Sequence, residues 1–295
     1  MKKGFSLPLW VAGAARSALN KLVGLPFKNY ELIKIPNEKK EIKAVILTHS
    51  ETSTGVINDL KTISSYIRAH STALSIVDCV TSLGACNVPV DEWELDIVAS
   101  GSQKGYMIPP GLSFITMSQK AWEAAEKSNL PKFYLNLKSY RKSLLANSNP
   151  YTPAVNLVFA LDEALKMMRE EGLDNIFLRH NKHKLAMSNA MKALNLKLFA
   201  DEKYLSPSIT AIQTEGMDAE AFRKTIKNNF DILLAGGQDH LKGKIFRVGH
   251  LGYVNDRDII TVVSAISNTL LNLGKITSQQ AGESLVVASK YLEGN

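Results

Sequence analysis

Ser100-Gly101-Ser102-Gln103-Lys104 follows the strand signal Asp96-Ile97-Val98-Ala99, and this stretch decides how the chain is read. Upstream, the run Leu74-Ser75-Ile76-Val77 ends in Asp78. Short apolar runs of this kind fit the buried strands of a parallel sheet. A third run, 43–48, leads into the polar loop Ser50-Glu51-Thr52-Ser53-Thr54-Gly55, and residues 112–117 form a fourth. Helical patterns separate the runs. Val56, Leu60, Ile63 and Ile67 fall on one helical face, and Trp122 lies on a helix after 112–117. Strands alternating with helices predict an α/β layer fold. Such folds bind ligands outside the carboxyl ends of their strands. Thr52, Ser53, Asp78, Gln103 and Lys104 all fall just past such ends.

An acid at the end of one buried strand and a lysine just past the next suit pyridoxal phosphate. The lysine would hold this cofactor as a Schiff base, and the acid would pair with the pyridine nitrogen. The ring withdraws electrons only while that nitrogen is protonated, and a carboxylate beside it favours the cation. The lysine must be neutral to attack an aldehyde, so it needs a desolvated pocket or a nearby positive charge. Once freed, the amine is placed to move a proton between substrate and cofactor carbons.

Val77-Asp78-Cys79-Val80-Thr81-Ser82-Leu83-Gly84, then Ser100 to Lys104, then Pro109-Pro110-Gly111, resembles the class V aminotransferases. The resemblance is greatest to their alanine–glyoxylate and serine–glyoxylate branch and runs over residues 41–272. It implies a fold type I transferase. A large domain with a mostly parallel sheet, incomplete at its N-terminal end, would span 1–171. A smaller α+β domain would span 172–274, with a tail at 275–295. The implied reaction is transamination between a small amino acid, alanine or serine, and a small oxo acid such as glyoxylate. The implied cofactor is pyridoxal 5′-phosphate and the implied assembly a homodimer.

The same resemblance assigns roles. Lys104 would anchor the cofactor and shuttle the proton, Asp78 would hold the ring nitrogen, and Val80 would pack on one ring face. Gln103 would donate to a cofactor oxygen. Ser53 and Thr54 match the family's Glu-x-Ser-Thr-Gly loop, where a hydroxyl reaches the cofactor; capping the following helix is a compatible role. Arg247, in Phe246-Arg247-Val248-Gly249-His250-Leu251-Gly252, matches the arginine that grips the substrate α-carboxylate. A surface salt bridge is the alternative reading of Arg247. Thr152 matches a threonine that reaches the phosphate of the neighbouring subunit, and Asn149 stands where some relatives carry a tyrosine. Ala235-Gly236-Gly237-Gln238 resembles the loop before the carboxylate-binding arginine; no helix pattern follows it, so it is not a phosphate cradle.

Further along, residues 133–149 read as an irregular loop. Thr152 is placed to cap a long helix that Pro153 opens, and Leu157, Leu161, Ala164, Leu165 and Met168 supply its apolar face. Helices are expected at 173–194, 218–228 and 257–273, and strands at 208–213 and 244–248. The stretch after Gly274 is polar, then weakly helical, and is expected to pack poorly.

Bulk composition narrows the class. The chain has 295 residues, 45% of them hydrophobic, enough for a sizeable core. Its formal net charge is +7, but Lys and Arg are scattered rather than clustered with aromatics, which argues against a nucleic-acid surface. No apolar run has the roughly 18 residues of a membrane span. The two cysteines, Cys79 and Cys86, form no pair at metal-ligand spacing and fit free thiols in a reducing, cytoplasmic setting. Members of this branch also carry the label of a soluble hydrogenase subunit; nothing here supplies the cysteine pairs for iron–sulfur or nickel.

The first thirty residues contain Lys2, Lys3, Arg16, Lys21 and Lys28 and no acid. A short helix, an organellar targeting segment and a rearranged reading frame all remain open there. Family members carry a longer region before the strand at 43–48, including a phosphate-binding loop at a helix start. Ala12-Gly13-Ala14-Ala15-Arg16-Ser17-Ala18-Leu19 is the nearest match to that loop. An inactive remnant or partner subunit is therefore the alternative function. A lyase or desulfurase of the same fold is a further one. Those relatives have His before the lysine and a mobile downstream cysteine, whereas Gln103 precedes Lys104 and no cysteine follows Cys86.

Overall fold

A computed structural model describes residues 42–293. The readings made for residues 1–30, including the Ala12 to Leu19 segment, lie outside the described residues. The described residues begin with β1 (Ala44–Thr48), a small hairpin of β2 (Ser50–Glu51) and β3 (Val56–Ile57), and helix α1 (Leu60–His70). Then come β4 (Leu74–Asp78), β5 (Ile97–Gly101) and β6 (Ser113–Met117). These form a four-stranded sheet in the order β1-β4-β5-β6, parallel except that β6 runs antiparallel to β5. The register aligns Thr48 with Asp78 and Asp78 with Ala99, so three carboxyl ends share one edge.

One face of this sheet is packed and the other is open among the described residues. Val77 and Val98 point to the packed side, where Leu60, Cys79, Val88 and Leu95 complete a core. Strand alternation sends Ile46, Ile76, Asp78 and Ile115 to the other side, where Ile46 is 54% exposed and Ile115 47%. Helix α1 begins at Leu60, not at Val56 as the periodicity suggested. Val56 instead pairs with Glu51 in the hairpin, and the Asp59 carboxylate accepts from the Thr62 N–H to cap the helix.

Three helices follow: α2 (Gln119–Lys127), α3 (Leu137–Leu145) and α4 (Val155–Glu171). The second corrects the loop expected at 133–149. Asn136 caps it by accepting from the Lys138 N–H, and none of its residues is buried. Helix α4 starts two residues later than expected. Ala154 holds its N-cap position without a side-chain bond, so Thr152 caps nothing and Pro153 lies outside the helix.

The remaining chain builds a second layer pair. Helix α5 (Leu173–Ala193) leads to β7 (Ile209–Gln213), α6 (Ala219–Phe230), β8 (Ala235–Gly236), β9 (Ile245–Gly249), α7 (Asp256–Asn272) and α8 (Ser278–Leu292). The strands form an antiparallel sheet in the order β7-β9-β8. Its core joins Phe222, Ile226 and Phe246 to Met187, Met191, Ile259, Ile266 and Leu270. The stretch after Gly274 is no loose tail. Helix α8 opens with a capping box between Thr277 and Gln280 and buries Ser284, Ala288 and Leu292. Small residues let it sit close to its neighbours, and the Ser284 and Ser267 hydroxyls lie 2.9 Å apart.

Hydroxyl contacts join the two sheets. Ser50 Oγ lies 2.8 Å from Ser206 Oγ, and Ser208 Oγ donates to the Thr81 carbonyl at 2.6 Å. The β2–β3 hairpin is thereby held against β7, which brings its tip to the edge where β4 and β5 end.

Candidate active site

Asp78 is the last residue of β4 and is exposed on the open sheet face. Its Oδ1 accepts from the Val80 N–H at 2.8 Å, and Oδ2 makes no hydrogen bond among the described residues. The chain then turns sharply: Ser82 and Leu83 both donate backbone N–H bonds to the Cys79 carbonyl. After β5, Ser102 staples the next loop shut, donating to the Pro109 carbonyl at 2.8 Å and accepting from the Leu112 N–H at 3.2 Å. Inside that loop, Met107 adopts φ 63° and donates to the Lys104 carbonyl at 3.0 Å.

The lysine turn is pressed directly onto the acid's turn. A Cβ built on Gly105 would stand 2.3 Å from the Leu83 carbonyl oxygen and 2.9 Å from the Gly84 Cα. Only glycine tolerates so close a backbone approach. Lys104 thus has its height over Asp78 set by backbone contact rather than by side-chain packing.

Arg247 reaches the same edge from β9. It is only 7% exposed, and among the described residues it lies in no ion pair. Its Nε–H donates to the Gly236 carbonyl at 2.8 Å, and Nη1 donates to the Thr52 carbonyl at 2.7 Å. Nη2 has no partner among the described residues. The guanidinium is therefore braced on two backbone carbonyls with its outer N–H edge free. A planar fork in that state suits a carboxylate.

Electrostatics link the three groups. The Lys104 ammonium is held below its ordinary value by burial first and by the Arg247 guanidinium second, and Asp78 opposes both. Arg247 is itself lowered by burial and by Arg223, with Glu51 opposing. The result is a lysine held below its ordinary pKa between one carboxylate and one guanidinium.

The other expected residues stand as follows. Ser53 is turned inward: its hydroxyl and its N–H both donate to Glu51 Oε1, at 2.7 and 2.8 Å. Thr54 Oγ1 lies 3.5 Å from the Glu51 carbonyl. Val80 is half-buried beside Asp78. Gln103 is exposed and folds its amide back over Gly101, where a Cβ would meet its Oε1 at 2.9 Å. Asn149 and Thr152 are exposed between α3 and α4, and no hydrogen bond joins either to the Lys104 edge among the described residues. Between them, Tyr151 donates to the Phe133 carbonyl at 2.9 Å and packs on Tyr134.

Sequence reasoning missed Ser102 as the loop staple and Glu51 as the acceptor for Ser53. It also missed His180 and Arg179, which hold the Gly252 N–H at 3.1 Å and its carbonyl at 2.9 Å. Only the serine, within the motif itself, carried a signal.

These groups fit pyridoxal phosphate as a donor set. The amine is depressed, a carboxylate oxygen is free on the open face, and a guanidinium edge waits beside them. Among the described residues no group of three or more His, Cys, Asp and Glu could hold a metal ion.

Residues 22–252 match the profile of the family described as aminotransferase class-V. The chain is 57% identical over 256 residues to the "soluble hydrogenase, small subunit" of Synechococcus sp., covering 87% of this chain and 66% of that one. It is 34% identical over 304 residues to the serine–glyoxylate aminotransferase of Methylorubrum extorquens, covering 97% of this chain and 75% of that one. The crystal structure of the ureidoglycine–glyoxylate aminotransferase of Bacillus subtilis superposes with a TM-score of 0.77 at 32% identity, over 84% of this chain and 65% of that one. The chain thus spans somewhat less than two thirds of the Synechococcus relative's length.

Proposed function

The chain belongs to the class V aminotransferase family, and on that premise we propose that it is a pyridoxal-phosphate-dependent aminotransferase. Its substrates would be a small amino acid, alanine or serine, and a small oxo acid such as glyoxylate. The observation that carries this reading is geometric: the Lys104 turn is seated against the turn that follows Asp78, and Arg247 is braced on two carbonyls with its outer edge free.

When bound, pyridoxal phosphate supplies a ring that takes up negative charge developing on the substrate Cα. Lys104 Nζ would hold the cofactor and, once freed, would be the base placed to move the substrate Cα proton. Asp78, through its free Oδ2, would pair with the ring nitrogen and favour its protonated form. Arg247 grips the α-carboxylate through the outer edge of its fork and so orients the Cα–H bond. Gln103, Ser53, Thr54 and Val80 would contact the cofactor. Thr152 and Asn149 would serve the neighbouring subunit of a homodimer. The exposed apolar side chains Phe133, Leu135, Leu144, Leu145 and Phe159 around that segment support such an assembly.

Borohydride reduction after incubation with pyridoxal phosphate tests the anchor. The cofactor mass should appear on the peptide carrying Lys104 and vanish in Lys104→Ala. Finding it on another lysine, or still present in the variant, would sink the assignment. Glycine formation from glyoxylate with alanine or serine as donor tests the reaction.

One observation favours a second reading, in which the chain works only as a partner subunit. Asp78 shares its face with uncovered apolar residues, and a carboxylate in water holds a cation weakly. Glycine formation by the chain alone would dismiss this reading.

A further inference from the structure

Arg223 lies on α6, away from the edge that carries Lys104, yet it bears on Arg247 through the backbone between them. Its Nε–H donates to the Leu234 carbonyl at 2.7 Å, and its Nη1 pairs with Glu220 Oε2 at 2.7 Å. The pair lies directly over Gly236. A Cβ added there would stand 2.6 Å from Arg223 Nη1 and 2.6 Å from Glu220 Oε1, so a side chain here would push the ion pair aside. Gly236 is paired with Phe246, whose side chain enters the core, while Ala235 is paired with Arg247. Adjacent strand residues face opposite ways, so the ion pair covers the sheet face turned away from Arg247. On the other side, the Gly236 carbonyl accepts the Arg247 Nε–H at 2.8 Å.

We infer that Arg223, with Glu220, is a positioning residue for Arg247. The ion pair clamps residues 234–236 from behind, and the Gly236 carbonyl passes that constraint to the guanidinium. The outer N–H edge is thereby aimed before any carboxylate arrives, which reduces the ordering that binding requires. The consequence for binding rests on the carboxylate role proposed above; the clamp itself does not.

Nitrogen-15 spectra of arginine Nε–H groups in the full chain test both parts, with the Arg247 resonance assigned by its loss in Arg247→Lys. Propionate, a carboxylate that does not react with amines, serves as the probe. In Arg223→Ala, hydrogen exchange at Arg247 Nε should speed up about tenfold, as expected for loss of one charged hydrogen bond behind a local opening. The Arg179 Nε–H, which pairs with Glu171, should stay within about twofold. Propionate, read from the shift of the Arg247 signal, should bind about fivefold more weakly. If Arg223→Ala fails to fold, the milder Glu220→Gln carries the test, with exchange expected to rise about threefold. Arg247 exchange that stays at the wild-type rate in the folded variants overturns the inference. A signal that responds to Arg223→Ala but never to propionate supports the clamp and removes the carboxylate role of Arg247.

Discussion

Lys104 and Arg247 are both cations, and their closeness is useful because only one of them can lose its charge. The guanidinium stays protonated, so its repulsion falls on the amine and adds to desolvation there. The same guanidinium has two N–H groups committed to carbonyls, which makes its free edge directional. Arg247→Ala should therefore lower kcat/KM for glyoxylate by about 30- to 1,000-fold, the equivalent of roughly 2–4 kcal/mol for a charged bidentate pair less its replacement by water. Arg247→Lys should recover little, since an ammonium cannot reproduce the fork. Pyridoxal phosphate uptake at Lys104 should change little in either variant. Steady-state kinetics and cofactor titration check this, and a kcat/KM within about threefold of wild type would remove the carboxylate assignment. At this scale Lys104, Asp78 and Arg247 stood out in the sequence because each sits in a motif of neighbouring residues. Gly105 and Gly236 did not, because their partners lie on other segments.

The four strands of the first sheet and helices α5, α6 and α7 were read close to their observed bounds. Misreadings fell where the pattern was short or deceptive. Val56 continues the period of α1 but is taken by hairpin pairing with Glu51. Helix α3 spaces Leu137, Tyr140 and Leu144 along one face, but over only nine residues set in a polar stretch. Helix α8 is the instructive error. Its buried positions are small or polar, Ser284 and Ala288 among them, so it looks weakly amphipathic although it completes the core. Ala288→Leu should show this. Three added carbons at a fully buried, close-packed position cost about 1–3 kcal/mol. The thermal midpoint should fall by roughly 2–4 °C for each kcal/mol lost. A melting curve by circular dichroism that does not move would mean α8 is not docked as described.

The whole molecule carries a set of buried neutral histidines. Burial lowers His49 to about 4, His180 to about 4 and His250 to about 3, from an ordinary 6.5. An unfolded chain takes up these protons as pH drops below 6.5, while the folded chain refuses them until about pH 4. Their contribution to stability is complete above pH 6.5 and is lost as pH falls through that window, by roughly 3–5 kcal/mol per histidine at most. Three such groups rival the 5–15 kcal/mol of a typical domain, so acid unfolding should centre at about pH 4–5. Urea midpoints should be level from pH 8 to 7 and fall steeply from about pH 6 to 4.5; a flat profile throughout would show that the imidazoles charge in place. Assembly is the second property at this scale. Phe159, 72% exposed on α4 beside other bare apolar residues, should lie within the proposed dimer interface. Phe159→Glu should give a monomer by light scattering, and an unchanged dimer mass would move the interface elsewhere. The sequence by itself determined the α/β class, the family and the chemical identity of the edge, since strand runs, turn glycines and the acid–lysine spacing are set by residues close in the chain. Tertiary structure alone decided how that edge is held. The carbonyls that brace Arg247, the backbone contact that seats the lysine turn and the docking of α8 each join residues far apart in the chain. Local pattern cannot encode such contacts, because their energies exist only once the layers have packed.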